Sequence, residues 1–226
     1  MLVNLGPDEP FGGGVPGVDF DVADPDSTGQ IMAFDVVPAV APDPTTPPQF
    51  LVLPPIAPLP AANPTPRKLA LVEMMSAVHD GPSEAVLGVV DAAGMVVRKM
   101  WSDDLTENPA VGATEIWEIY NTTADAHPMH VHEVAFEVIN REPLVLDPVT
   151  GEPVQPLQLA GGARPAEAWE TGFKGTVIAY PGEVTRIKAT FPHPGQFVWH
   201  CHIVEHEDNE MMRPFRIGPP QPGEPA

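Results

Sequence analysis

His200-Cys201-His202-Ile203-Val204-Glu205-His206, followed by Met211 and Met212, holds the only cysteine of the chain and three of its eight histidines. It continues a short β-type run, Gln196-Phe197-Val198-Trp199. On an extended strand successive side chains point to opposite faces. Cys201 then shares a face with Phe197 and Trp199, while His200 and His202 share the other with Val198. One metal ion cannot easily take all three, so the alternation implies two metal sites back to back. A thiolate serves one of them and an imidazole pair serves the other.

The same segment can largely complete the first site. His206 lies five residues and Met211 ten residues after Cys201, so one returning loop can deliver both. A thiolate, imidazoles and a weak thioether form the ligand set of a blue-copper centre. The second imidazole is offered upstream by His127-Pro128-Met129-His130-Val131-His132. His130 and His132 share a face if that run is extended. His127 sits beyond Pro128, whose fixed φ and missing N–H are expected to interrupt regular pairing and let it point elsewhere.

The two motifs, HPMHVH and HCHIVEHEDNEMM, resemble the C-terminal copper motifs of multicopper oxidases, in the branch of bacterial spore-coat laccases and bilirubin oxidases. The resemblance covers residues 67 to 218 and continues weakly back to residue 1. It implies an all-β, cupredoxin-like Greek-key barrel or sandwich, with copper as the cofactor. It implies His127, Cys201 and His206 on type 1 copper with Met211 axial, His130 on type 2 copper, and His132, His200 and His202 on the type 3 pair. Glu207 matches a carboxylate that relays protons toward dioxygen, and Cys201 is the residue that passes electrons onward. Reducing substrates such as phenols are the expected donors. The resemblance departs at Phe173-Lys174-Gly175-Thr176, where the family often reads Trp-Lys-Asp-Thr, a change expected on the substrate side.

A trinuclear cluster in this family uses eight histidines, and this chain matches four of them: His130, His132, His200 and His202. The others come from HxH motifs in an N-terminal domain, and His79 is the only histidine before His127. The chain is therefore expected to be the C-terminal part of a multicopper oxidase, truncated or split, with the missing N-terminal cupredoxin domains as partners. A standalone blue-copper electron carrier is the alternative reading, and a non-catalytic copper-binding domain is another.

The bland readings are definite too. Zinc also takes cysteine and histidine, but closed zinc sites usually recruit more than one cysteine. Met211-Met212 reads equally as core packing, and Glu207 as a surface acid. Trp117, Phe197 and Trp199 read as core, and His79 and His193 as structural or surface residues.

Residues 1–40 combine turn chemistry (Gly12-Gly13-Gly14, Asp24-Pro25-Asp26-Ser27-Thr28-Gly29) with β-type pieces at Met1 to Leu5 and Gln30 to Val37. Two strands make no stable sheet alone, so this stretch needs a barrel supplied by other residues; the resemblance implies that it is the closing edge of a preceding (middle), incomplete cupredoxin domain. A disordered Gly- and Pro-rich tail is the alternative. Residues 41–66 form a Pro-rich linker, in which Leu51, Val52, Leu53 and Ile56 are expected to lie against a surface. Residues 67–218 are the copper-binding domain, and 219–226 a flexible tail. Short strands are expected at Lys68 to Met74, Glu84 to Val90, Met95 to Met100, Glu115 to Tyr120, His132 to Ile139, Thr176 to Tyr180, Val184 to Phe191, Gln196 to His200 and Pro214 to Ile217.

A hydrophobic share of 43% can build a core, while the formal charge of −20 disfavours nucleic acid and anionic membrane. The acidity reads as solubility, or as a preference for cationic or neutral reductants. No apolar run approaches the length of a membrane-spanning helix. Met1 to Pro7 lacks the pattern of a secretory signal. Localisation stays open, with an extracytoplasmic or spore-coat placement implied by the resemblance.

Overall fold

The computed structural model describes residues 1–78 and 81–220, so His79 and most of the expected 219–226 tail lie outside the described residues. The chain divides into two units, Met1–Pro58 and Leu59–Ala226, a division that falls inside the proline-rich stretch.

In the first unit β1 (Leu2–Val3) pairs antiparallel with β2 (Gln30–Met32). The strands are shorter than the apolar runs that contain them. Between them the Asp24 carboxylate accepts from Asp26 N and Ser27 Oγ, and its carbonyl from Gly29 N, closing a tight turn. The proline-rich stretch holds one turn of 3-10 helix, Pro48–Phe50. Leu51, Val52, Leu53 and Ile56 are exposed, Val52 almost fully at 95%. Within the first unit nothing covers them, and the prolines hold this backbone extended.

The second unit is a β-sandwich. β3 (Arg67–Met75), β4 (Pro82–Val90), β5 (Val96–Lys99), β6 (Thr114–Asn121), β8 (Phe136–Pro143), β9 (Arg164–Pro165) and β11 (Glu183–Thr190) form a seven-stranded sheet in the order β5-β4-β3-β6-β11-β8-β9. β7 (His127–Val131), β10 (Thr176–Ala179), β12 (Gly195–Cys201) and β13 (Met212–Ile217) form a four-stranded sheet in the order β10-β7-β12-β13. All pairs of these strands are antiparallel except β3 with β6, which run parallel within the large sheet, and the chain first crosses to the small sheet between β6 and β7. Leu69, Leu71, Trp117, Ile119 and Ile187 from the large sheet meet Met129, Val131, Trp199 and Phe215 from the small one in a single core. Trp117 stacks on Phe191 and meets Trp199 and Phe215 edge-on.

Two expectations change at the upstream motif. β7 runs straight through Pro128, which pairs with Ile178 of β10. The Pro128 carbonyl faces His202 N at 2.8 Å, just past the end of β12, where the ladder needs no donor from the proline. The single strand expected from His132 to Ile139 is split. β7 ends at Val131, Glu133 turns the chain at φ 69°, and β8 begins at Phe136.

Candidate metal centres

Strand parity does the sorting. In β7, His127, Met129 and Val131 are buried on the core face, and Pro128 and His130 face the other way. His127 is therefore separated from His130 by alternation, not by a break at Pro128. β12 lies beside it with His200 opposite His130 and Cys201 opposite Met129, so its thiol is on the face of His127 and its His200 on the face of His130. One turn of helix, α1 (Val204–Glu207), follows β12 and carries His206 back to the thiol.

In the first group Cys201 Sγ lies 3.6 Å from His127 Nδ1 and 3.9 Å from His206 Nδ1, and the two Nδ1 atoms are 3.2 Å apart. Donor atoms bonded to one ion at about 2.0–2.3 Å lie about 3.3–3.9 Å from one another, so these three atoms have the spacing of a shared metal. Met211 N donates to His206 O at 2.9 Å, and Cys201 N to Met211 O at 3.0 Å, which folds the loop back on the thiol. Met211 is fully buried in the core cluster with Cys201. Met212 pairs with His200 across β12–β13 and lines a different cavity, beside Glu207. The two methionines, of which the spacing from Cys201 favours Met211, thus lie in different surroundings.

The second group collects His130, His132 and His200, with His202 beside them. His132 Nε2 is 3.1 Å from His200 Nε2, and the His202 ring centroid is 5.5 Å from that of His200 and 5.9 Å from that of His130. The turn at Glu133 aims His132 here, since its ring centroid lies 4.8 Å from that of His130 although it has left the strand. Glu207 reaches His200 Nδ1 at 3.2 Å.

The neighbours of each ring decide its tautomer. Carbonyls only accept, so the 2.5 Å contact of His130 Nδ1 with Gly175 O and the 2.9 Å contact of His200 Nδ1 with Cys201 O put a hydrogen on Nδ1. Their Nε2 lone pairs are left for a ligand. His127 is reversed. The Thr123 hydroxyl donates to Asn121 Oδ1 at 2.8 Å, so at 2.7 Å from His127 Nε2 it can only accept, and Nδ1 is the free nitrogen. Orienting partners of this kind are the usual companions of metal-bound imidazoles. Gly175, in the departure at Phe173–Thr176, therefore abuts His130 of the second group.

Burial governs the charges. It pushes the Cys201 thiol up to about 12, with the Ile203 amide opposing and Glu73 and Glu207 assisting. Burial, and then His206, bring His127 down to about 3. His206 and His132 are also lowered, first by burial. Neutral imidazoles are ready donors, whereas the thiol must surrender a proton to a metal.

Asn121, Thr123 and Glu73 were not singled out from sequence. Glu73 Oε1 lies 3.7 Å from His127 Nε2 and 3.9 Å from His206 Nδ1, and with Asp125 and His206 it forms a third cluster of metal-compatible spacing. A signal existed: Glu73 continues the parity of Leu69 and Leu71, an acid where a core side chain belongs.

A multicopper oxidase family profile matches residues 70–221. The chain belongs to the multicopper oxidase family. It is 48% identical over 124 residues to a laccase of Bacillus subtilis, covering 54% of this chain and 24% of that protein. A laccase of Haloferax volcanii is 38% identical over 143 residues, covering 61% of this chain and 22% of its own. Among solved structures, a multicopper oxidase from Pediococcus acidilactici superposes with a TM-score of 0.53 at 27% identity, covering 78% of this chain and 32% of that one. The chain thus spans about a quarter of the length of the curated relatives it matches.

Proposed function

We propose that this chain is the C-terminal, copper-bearing part of a laccase-like multicopper oxidase. His127, Cys201 and His206 hold type 1 copper with Met211 axial, His130 serves type 2 copper, and His132, His200 and His202 serve the type 3 pair. The observation that carries this reading is the convergence of His127 Nδ1, Cys201 Sγ and His206 Nδ1 within 3.2–3.9 Å, with a separate histidine group behind the same strand. The donor set suits copper: one thiolate, two neutral imidazoles and a buried thioether, with His127 held from behind by Thr123 in a defined tautomer.

Copper, when bound, supplies a one-electron acceptor in the first group and the site of dioxygen reduction in the second. The chain's own residues do the rest. Cys201 is covalently joined to both His200 and His202, so the backbone itself links the two groups. Glu207, half-exposed and in contact with His200, stands between solvent and the second group as a proton donor. The second group needs histidines from N-terminal cupredoxin domains, a reading supported by the quarter-length coverage of the relatives. The exposed apolar side chains of the first unit, among them Leu2, Val3, Ile31 and Met32 of its strands, add support.

Adding copper and recording the visible spectrum tests the proposal. An intense blue thiolate band is expected, and its absence removes the type 1 assignment. A complete first group within this chain also favours a second reading, a mononuclear blue-copper carrier. Dioxygen uptake with a phenolic reductant, once an N-terminal oxidase segment is supplied, separates the two.

A further inference from the structure

Between β5 and β6, residues 100–109 run beside β13 as a strap: Arg216 N donates to Glu107 O at 3.0 Å and Gly218 N to Pro109 O at 2.8 Å. The strap is tied to the large sheet. Arg67 of β3 donates from Nη1 to Thr106 O at 2.9 Å, while the same guanidinium grips Glu115 of β6 at 2.9 and 3.0 Å. It also holds the chain on both sides of Met211. Before Met211, Glu210 Oε2 accepts from Trp101 N at 2.7 Å. After it, Arg213 donates from Nη1 to Met100 O, and from Nη2 to Asp104 O at 2.9 Å.

Both tethers are unfavourable by local rules. Glu210 sits at φ 67°, a conformation disfavoured for residues other than glycine. Arg213 is wholly buried opposite Trp199, where a core side chain belongs. Its acidic neighbour Glu107 is equally buried but 3.7 Å away, and Arg213 Nε and Glu107 Oε1 have no hydrogen-bond partner among the described residues. A buried pair so loosely matched does little for stability, since apolar residues of similar volume often do as well or better. What the planar guanidinium does supply is a fixed grip on two carbonyls beside Met211.

We propose that this strap, through Glu210 and Arg213, positions the Met211 thioether at the first metal group and so sets how strongly it donates. The proposal rests on reading that group as type 1 copper with Met211 axial. An axial thioether bonds such a metal weakly and at long range, so the metal cannot hold it in place and the protein must. Hydrogen bonds from Met211 N to His206 O and from Cys201 N to Met211 O bring the loop to the thiol. The two tethers then fix it from outside the group, against a segment pinned to the other sheet. Glu210 and Arg213 are thus positioning residues, and neither belongs to a metal-compatible cluster of the described residues.

The test compares Glu210→Gly, which removes one tether and relieves the backbone, with the double variant Glu107→Leu/Arg213→Met, which replaces the buried pair by apolar groups without changing net charge. Glu210→Gln, whose amide oxygen can still accept from Trp101 N, is the control. In the copper-loaded full chain the first two are expected to keep the blue band and raise its potential, by less than Met211→Leu does, with Glu210→Gln close to wild type. In a Met211→Leu background neither is expected to shift the potential further, because no thioether is left to position. In the metal-free chain with isotope-labelled methionine methyls, the Met211 resonance, assigned by its loss in Met211→Leu, is expected to move in both. A potential equal to that of the wild type, or an unmoved Met211 resonance, overturns the proposal. So does a shift that persists undiminished in the Met211→Leu background, which would make the effect one of charge or solvation and not of position. Should the double variant not fold, Glu210→Gly decides alone. Absence of a blue band in the wild type would reject the copper assignment, and the methyl resonance would still decide whether the strap positions Met211.

Discussion

Cys201 has a different environment from each of its neighbours in sequence, and the proposed chemistry rests on that contrast. Its thiol is buried on the core face, whereas His200 and His202 face the second group. Cys201→Ser is expected to abolish the blue band of the copper-loaded chain, and colour surviving the change would disprove the ligand assignment. Met211→Leu is expected to keep the band and raise the potential, because a weak donor to the oxidised metal is lost; an unchanged or lower potential on electrochemical titration would count against Met211. Thr123→Val leaves the Nε2 hydrogen of His127 and Asn121 Oδ1 with one partner fewer in a buried site. A loss of about 1–3 kcal/mol in chemical denaturation is expected, with Thr123→Ser close to wild type.

Among the elements, the turn between β7 and β8 decides the second group. Glu133 adopts φ 69°, a conformation that is unfavourable for residues other than glycine, and its carboxylate is held by His193. That turn ends the strand one residue before His132 and swings the ring to His130 and His200. Glu133→Gly is expected to be tolerated, since glycine enters this region freely. Glu133→Val should cost about 1–2 kcal/mol and loosen metal held by the second group, as calorimetric titration would record. Here the alternation of His132, Val134 and Phe136 misleads, because the same period of two is produced by a strand and by a chain that leaves one strand and enters the next with Val134 and Phe136 still buried.

At the scale of the whole molecule, metal uptake at the proposed first site is expected to depend on pH through the buried thiol. Cys201 is held up to about 12 while His127 is held down to about 3, so near neutrality the first group is one protonated thiol among neutral imidazoles. Filling it must release the thiol proton, and apparent affinity should rise by about tenfold per pH unit through the neutral range. Metal titrations in buffers of different ionisation enthalpy check this; a flat profile would mean that the thiol is not a ligand. The two faces also differ in exposure: the core of Trp117, Trp199, Phe191 and Phe215 buries the thiol side, and on the other side the half-exposed Glu207 contacts His200.

Much of the site was legible in the chain itself. Period-two alternation around Cys201 divides its neighbours between two faces, and the HCH and HPMHVH spacings name the histidines, because parity along a strand is a property of local backbone geometry alone. Tertiary structure decided the rest. Only the pairing of β7 with β12 shows that His127 reaches the thiol by parity and not by a proline break, and the β12–β13 register sets Met212 opposite His200 while Met211 folds back on Cys201. Glu73, Asn121 and Thr123 join the site from β3, the end of β6 and the loop after it. Their partners are distant in sequence or hidden in a loop, so no local period records them, and it is the packing of one sheet on the other that brings a buried acid against two imidazoles.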